Sequence, residues 1–120
     1  MLEIEESAID GVAIISPRGK IDTLTAKSFE MRLMHHVAYG QGAVVIDMAA
    51  VDYVSSFGLR SLLIVAKQMA PLGRKLVLSG PNDAVMEVLR VSGFLRIIQV
   101  APDRDAAVES VMPETGAVAP

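Results

Sequence analysis

The stretch AVVIDMAAVDYVSSFGLRSLLIVAKQM, residues 43–69, determines which class of fold the chain adopts. It begins with a continuous apolar run that ends in an aspartate, as is typical of a buried strand. From about Ser56 to Met69, apolar residues recur at the spacing of an amphipathic helix, and residues 48–54 are interpreted as a linker. A buried strand followed by a helix is the unit of a parallel sheet, so this stretch predicts an α/β fold.

The same alternation of strands and helices continues on both sides of this stretch. Two N-terminal strands flank the pair Asp10-Gly11, which favours a hairpin, and two later strands are predicted over 75–80 and 96–100. The resulting order, ββαβαβαβα, predicts a single α/β domain. Its mixed sheet is expected to have about five strands with the hairpin at one edge, and its helices are expected mainly on one face.

Local signals predict the helix starts and the end of the domain. The first helix is expected to have Asp22 or Thr23 as its N-cap, and the third helix is expected to carry Pro81 in its first turn. Residues 113–120 are rich in Pro, Gly and Ala and show no apolar periodicity. We therefore predict a domain over residues 1–112 and a flexible C-terminal tail over residues 113–120.

The composition of the 120 residues argues against several classes of function. The chain has no cysteine, which excludes disulfides, thiol catalysis and zinc–thiolate sites. Its 11 Lys and Arg residues are dispersed and its net charge is −3, which argues against nucleic-acid binding. No apolar run approaches the roughly 18 residues of a membrane span, and the acidic N-terminus does not resemble a signal peptide. A cytoplasmic protein without membrane insertion is predicted.

The sequence also lacks the usual motifs for catalysis and for cofactor binding. Neither Ser55 nor Ser56 has a glycine two positions earlier, where the nucleophile of a serine hydrolase usually has one. The two histidines, His35 and His36, are adjacent in a predicted helix and cannot both face one site. The phosphate-binding patterns G-x-x-x-x-G-K-[ST] and G-x-G-x-x-G do not occur. We predict no enzymatic activity, no cofactor and no metal site.

The doubled serine at the start of the second helix calls for two different explanations. Ser55 precedes the helical run and is predicted to be its N-cap, with the hydroxyl accepting a hydrogen bond from a free backbone N–H. Ser56 then occupies the first helical position, where a helix N-terminus stabilises anions and tolerates a phosphate. Ser56 is therefore either a phosphoacceptor or an ordinary serine at a helix start.

Projecting the second helix at 100° per residue separates a core face from an outward face. Phe57 and Ile64 are seven residues apart on the outward face, with Ser61 among them and Arg60 at the edge. These apolar groups are either surface scatter or a docking patch for a partner. The predicted core face consists of Leu59, Leu62, Leu63, Ala66 and Met69.

Four segments of the chain together resemble the STAS domains, and among them the stand-alone anti-sigma factor antagonists of bacteria. They occur in the family's order, and the resemblance extends over about residues 2–111. The segments are Gly19-Lys20-Ile21-Asp22, the strand VVID ending at Asp47, the signature YVSSFGL over residues 53–59, and VSGFLRII over residues 91–98.

The resemblance implies a switch in which a partner phosphorylates the serine that matches Ser56. In that family the partner is a serine kinase that is also the anti-sigma factor, with an ATPase fold like that of histidine kinases, and a phosphatase resets the switch. The unphosphorylated protein binds the kinase and the phosphorylated protein releases it. The resemblance also implies a partner-binding surface around the second helix and two aspartates that shape the site near Ser56. These residues are Phe57, Gly58, Arg60, Ser61 and Ile64 for the surface, and Asp22 and Asp47 for the shaping role.

Two departures from the family signature keep other interpretations open. Ser55 stands where the family has Asp, and Phe57 stands where it has a small residue. Both changes alter the surroundings of the acceptor, and Ser55 becomes a second candidate acceptor. The alternatives are a STAS adaptor that binds its partner constitutively and a sensor with a small ligand at the carboxyl end of the sheet.

Overall fold

The computed structural model describes residues 2–112 of the chain. The predicted tail over residues 113–120 lies outside these described residues. The elements are β1 (Glu3–Ile9), β2 (Val12–Ile21), α1 (Ala26–Tyr39), β3 (Val44–Asp47), β4 (Val51–Val54), α2 (Ser56–Met69), β5 (Leu76–Ser79), α3 (Asp83–Val91), β6 (Gln99–Ala101) and α4 (Arg104–Val111).

The sheet is mixed and begins with the predicted hairpin. Strands β1 and β2 pair antiparallel around Asp10 and Gly11, whose φ angles are 51° and 82°. Asp and Gly are residue types that adopt these positive φ angles in hairpin turns. The strand order is β1-β2-β3-β5-β6, and every pair after the first is parallel. The prediction of a single α/β domain with an N-terminal hairpin is confirmed.

One strand escapes the sequence prediction, because the stretch interpreted as a linker contains β4. Strand β4 pairs in parallel with the far end of β2, over Gly19–Ile21, and the register shifts between Gly19 and Lys20. Val51 and Val54 are buried while the two residues between them are exposed. This pattern does not show the alternation of a half-buried strand. The described sheet consequently has six strands rather than about five.

The helices divide unequally between the two faces of the sheet. Helices α1, α2 and α3 cover the larger core, and α4 covers a smaller cluster on the opposite face. The prediction that the helices lie mainly on one face is confirmed. The largest fully buried side chains include Phe29, Leu33, Ile46, Leu62, Met69 and Leu89.

Three predicted element boundaries require correction. Helix α1 begins at Ala26 because the Asp22 carboxylate accepts from the backbone N–H groups of Leu24 and Thr25, forming a turn before the helix. Helix α3 is capped by Asn82, so Pro81 precedes the helix. Residues 94–96 form a 3₁₀ turn rather than the start of a strand, and β6 begins at Gln99.

Candidate functional site

The N-terminus of α2 is anchored to the end of β2 through Ser55. The backbone N–H of Ser55 donates to the carbonyl of Ile21 at 2.8 Å, and its Oγ accepts from the backbone N–H of Gly58 at 3.2 Å. Ser55 is therefore the N-cap of α2, as predicted. Ser56 follows as the first residue of the helix, and it is exposed.

Replacing Ser55 with alanine is expected to lower the free energy of unfolding by about 1 kcal/mol, because the Gly58 N–H loses its acceptor. Urea unfolding of the purified domain measures this change. Ser56→Ala is the matched control, because the adjacent hydroxyl does not cap the helix. Equal stability of the two variants would contradict the capping role.

Gly58 holds α2 close to two strands rather than presenting a surface to a partner. It is buried, and a Cβ at this position would lie 2.8 Å from Ile21 Cγ2 and 2.9 Å from Val54 Cγ1. The predicted partner-binding role of Gly58 is corrected accordingly, because the residue acts through backbone packing.

Gly58→Ala is expected to destabilise the domain by roughly 1–3 kcal/mol through overpacking, despite the higher helix propensity of alanine. Thermal unfolding should show the lower stability as a fall in Tm. A Tm equal to or above that of the wild-type domain would show that α2 can move outward at no cost.

A groove of about 240 Å³ runs between α1 and α2. It brings together four of the predicted partner-binding side chains, Phe57, Arg60, Ser61 and Ile64. Phe57 is 52% exposed, a large fraction for an aromatic side chain beside an open groove. The opposite wall comes from Thr23, Ala26, Lys27 and Glu30, at the start of α1 and just before it. Projection of α2 alone could not identify these residues, because it does not show which helix packs beside it.

Ser61 forms the buried floor of the groove. The prediction that Ser61 lies on the outward face of α2 is wrong. It is only 3% exposed, and its Oγ lies 3.2 Å from Ala26 O, Glu30 Oε1 and Phe57 O. The prediction of the core face was therefore partly wrong: the buried face of α2 is turned toward Ser61, because α1 packs against that flank of the helix. The residues of α2 that are buried are Gly58, Ser61, Leu62, Val65 and Met69.

The comparison with known proteins identifies the family. The family model described as "STAS domain" matches residues 3–107. The chain belongs to the STAS domain family. This STAS domain is 39% identical over 106 residues to BtrV of Bordetella bronchiseptica, which carries the name of an anti-sigma factor antagonist, and the match covers 88% of this chain and 91% of BtrV.

Solved structures share the fold of this STAS domain. An anti-sigma factor antagonist from Mycobacterium paratuberculosis has a TM-score of 0.84 at 24% identity, covering 92% of this chain and 94% of that chain. Unphosphorylated SpoIIAA has a TM-score of 0.74 at 14% identity, covering 92% of this chain and all (100%) of SpoIIAA. The phosphorylated form of SpoIIAA from Bacillus has a TM-score of 0.68 at 12% identity, covering 93% of this chain and 100% of SpoIIAA.

The two aspartates predicted to shape the site have different surroundings in this STAS domain. Asp22 follows Ile21, the residue that accepts from Ser55, and its carboxylate orders the turn leading into α1. Asp47 instead faces α4, where Arg104 bonds its Oδ2 at 2.8 Å.

The placement of Asp47 beside Ser56 is therefore corrected. Asp47 ends its strand at the carboxyl edge of the sheet, as expected, but on the face opposite to α2. Arg104 also donates to Ser16 Oγ on β2. Ser16 lies five residues before Ile21, the residue of β2 that binds the backbone of Ser55. Five residues of strand extend over roughly 16 Å, so Arg104 and Asp47 lie well away from the start of α2.

Two further structural findings concern residues 2–112 of this STAS domain. No helix in that range combines the length and the apolar composition needed to cross a membrane. Over the same residues, no group of three or more His, Cys, Asp or Glu side chains is arranged to hold a metal ion.

Proposed function

We propose that this STAS domain is an anti-sigma factor antagonist that acts as a phosphorylation switch on Ser56. Unmodified, it binds a serine kinase that is also the anti-sigma factor, and phosphorylation of Ser56 releases that kinase. The observation that carries the proposal is the exposed Ser56 at the first turn of α2, next to the half-exposed Phe57 at the mouth of the groove. The partner is expected to have a histidine-kinase-like ATPase fold, and a phosphoserine phosphatase is expected to reset the switch.

The physical basis of release is the charge that the phosphate introduces at an apolar contact. Phosphorylation adds about −1.5 to −2 charges at neutral pH. A partner that covers Phe57 would also have to cover and desolvate this charge. The helix itself tolerates the phosphate, because an anion is favourable at a helix N-terminus. The modification is therefore expected to break the complex without unfolding the domain.

The relatives support the same role, since BtrV carries the name of an anti-sigma factor antagonist. SpoIIAA, which shares the fold, has been solved in unphosphorylated and phosphorylated forms.

The positions of the histidines support a role without catalysis. His36 Nε2 lies 2.8 Å from Glu6 Oε1 on β1, and His35 lines a separate hollow between α1 and β1. Neither histidine lines the groove beside Ser56. The kinase is therefore expected to supply both the base and the ATP.

A constitutive STAS adaptor is the second candidate function. The exposure of Phe57 favours it, because an aromatic anchor can hold a partner regardless of phosphorylation.

Calorimetric titration with the partner kinase distinguishes the switch from the adaptor. Phosphoserine installed at position 56 during synthesis is expected to weaken binding at least tenfold relative to the unmodified domain. Phosphoserine at position 110, on α4 across the sheet, is the control for added charge and should leave the affinity unchanged. Equal affinity of the unmodified and the 56-modified domain would favour the adaptor.

A further inference from the structure

Arg60 is a positively charged residue of the groove that has no ion-pair partner among the described residues. It is exposed, it lines the groove beside Phe57, and it forms no ion pair among residues 2–112. It also follows Ser56 by four residues within the same helix. These facts connect the proposed phosphorylation site with the proposed docking surface.

Helix geometry brings the two side chains together. Residues four apart lie on the same face, and a helical side chain leans toward the N-terminus of its helix. The side chain of Arg60 therefore leans toward the turn that begins at Ser56. An anion placed four residues before a cation is the favoured orientation of such a pair. A phosphate offers three acceptor oxygens that match the planar guanidinium group.

We propose that Arg60 responds to phosphorylation of Ser56. The guanidinium group of Arg60 binds the phosphate on Ser56 and thereby moves out of the groove. This inference rests on the proposed function, because it concerns the phosphorylated form. The groove would then lose a cation at the same time as the phosphate appears at its mouth. The partner therefore meets two changes, one at Ser56 and one beside Phe57.

The other charged groups of the groove favour Arg60 as the residue that binds the phosphate. Lys27 belongs to α1, on the opposite wall. Glu30 stands on the same wall, and its carboxylate lies within hydrogen-bonding distance of Ser61 Oγ. Of these groups, only Arg60 shares the helix of Ser56 at the favourable spacing.

The experiment installs phosphoserine at position 56 during synthesis and follows its phosphorus resonance through a pH titration. Binding to Arg60 stabilises the dianion, so Arg60→Gln is expected to raise the phosphoserine pKa by roughly 0.3–0.5 units. Lys67→Gln removes the same charge from the last turn of α2 and is expected to leave the pKa unchanged. In the Arg60→Lys protein, the phosphoserine pKa should lie between those of the wild-type and Arg60→Gln proteins, because lysine keeps the positive charge. The Nε–H proton of Arg60 should also exchange more slowly with water after phosphorylation.

Equal phosphoserine pKa values for the Arg60→Gln and Lys67→Gln proteins would overturn the inference. The titration requires neither the kinase nor its complex, so it remains valid if the kinase leaves Ser56 unmodified. A kinase that fails to label Ser56 would instead overturn the proposed function.

Discussion

Replacing Ser56 with alanine is expected to abolish phosphorylation of the domain by its kinase while leaving the complex with the kinase intact. The reason is that the variant removes the exposed hydroxyl at the start of α2 without touching the cap or the groove. Incorporation of labelled phosphate should fall to background. In the presence of ATP, the complex should persist on gel filtration where the wild-type complex dissociates.

Ser55→Ala is the control for this experiment, because it removes the neighbouring hydroxyl and keeps the acceptor. The Ser55 variant should still be labelled, after allowance for its lower stability. Wild-type labelling of the Ser56→Ala protein would show that the acceptor lies elsewhere.

Replacing Phe57 with alanine is expected to weaken binding to the partner at least tenfold and to leave stability nearly unchanged. The side chain is 52% exposed, so the folded domain gains little from it. A buried aromatic anchor in a complex often contributes about 2 kcal/mol or more to binding. Calorimetric titration with the kinase measures the affinity, and urea unfolding measures the stability.

Leu72 provides the matched control for Phe57. Its side chain is similarly exposed, at 57%, but it follows the opposite end of α2. Leu72→Ala should bind the partner like the wild-type domain. Equal losses for the two variants, or unchanged affinity of the Phe57 variant, would contradict the assignment of the groove as the docking surface.

We expect Ser55 to be a poorer phosphoacceptor than the neighbouring Ser56. Its Oγ accepts from the Gly58 N–H, and the residue is half-buried. Phosphorylation of Ser55 would place a bulky dianion at the cap and disturb the junction with Ile21. Ser55 caps α2 without placing a negative charge beside Ser56. Serine in place of the family's aspartate therefore leaves Ser56, the proposed acceptor, exposed at the start of α2.

The sequence predicts those features that depend on local chemistry. The bounds of α2, its cap at Ser55 and the hairpin at Asp10-Gly11 are all confirmed. Each depends on residues adjacent in the chain, such as a capping hydroxyl or a residue that accepts positive φ. Apart from β4, the strand and helix order follows from apolar runs whose lengths separate the two kinds of element.

The features that the sequence does not predict depend on tertiary neighbours. Strand β4 forms because β2 extends beyond the residues that pair with β3 and offers a second pairing edge. Ser61 is buried because α1 packs on that flank of α2. Asp47 follows Ile46, which faces the core under α1, α2 and α3, so alternation along β3 directs Asp47 to the opposite face, where Arg104 of α4 pairs with it. The elements that meet these residues (β2, α1 and α4) are distant in sequence, so periodicity within one segment does not identify them.

The most direct test of the account is phosphopeptide mapping by mass spectrometry after reaction of the domain with its kinase and ATP, with the bound fraction measured in the same samples. The account predicts phosphate on Ser56 and release of the kinase in proportion to the phosphorylated fraction. Phosphate on Ser55 alone, or a complex that persists with Ser56 fully phosphorylated, would contradict it.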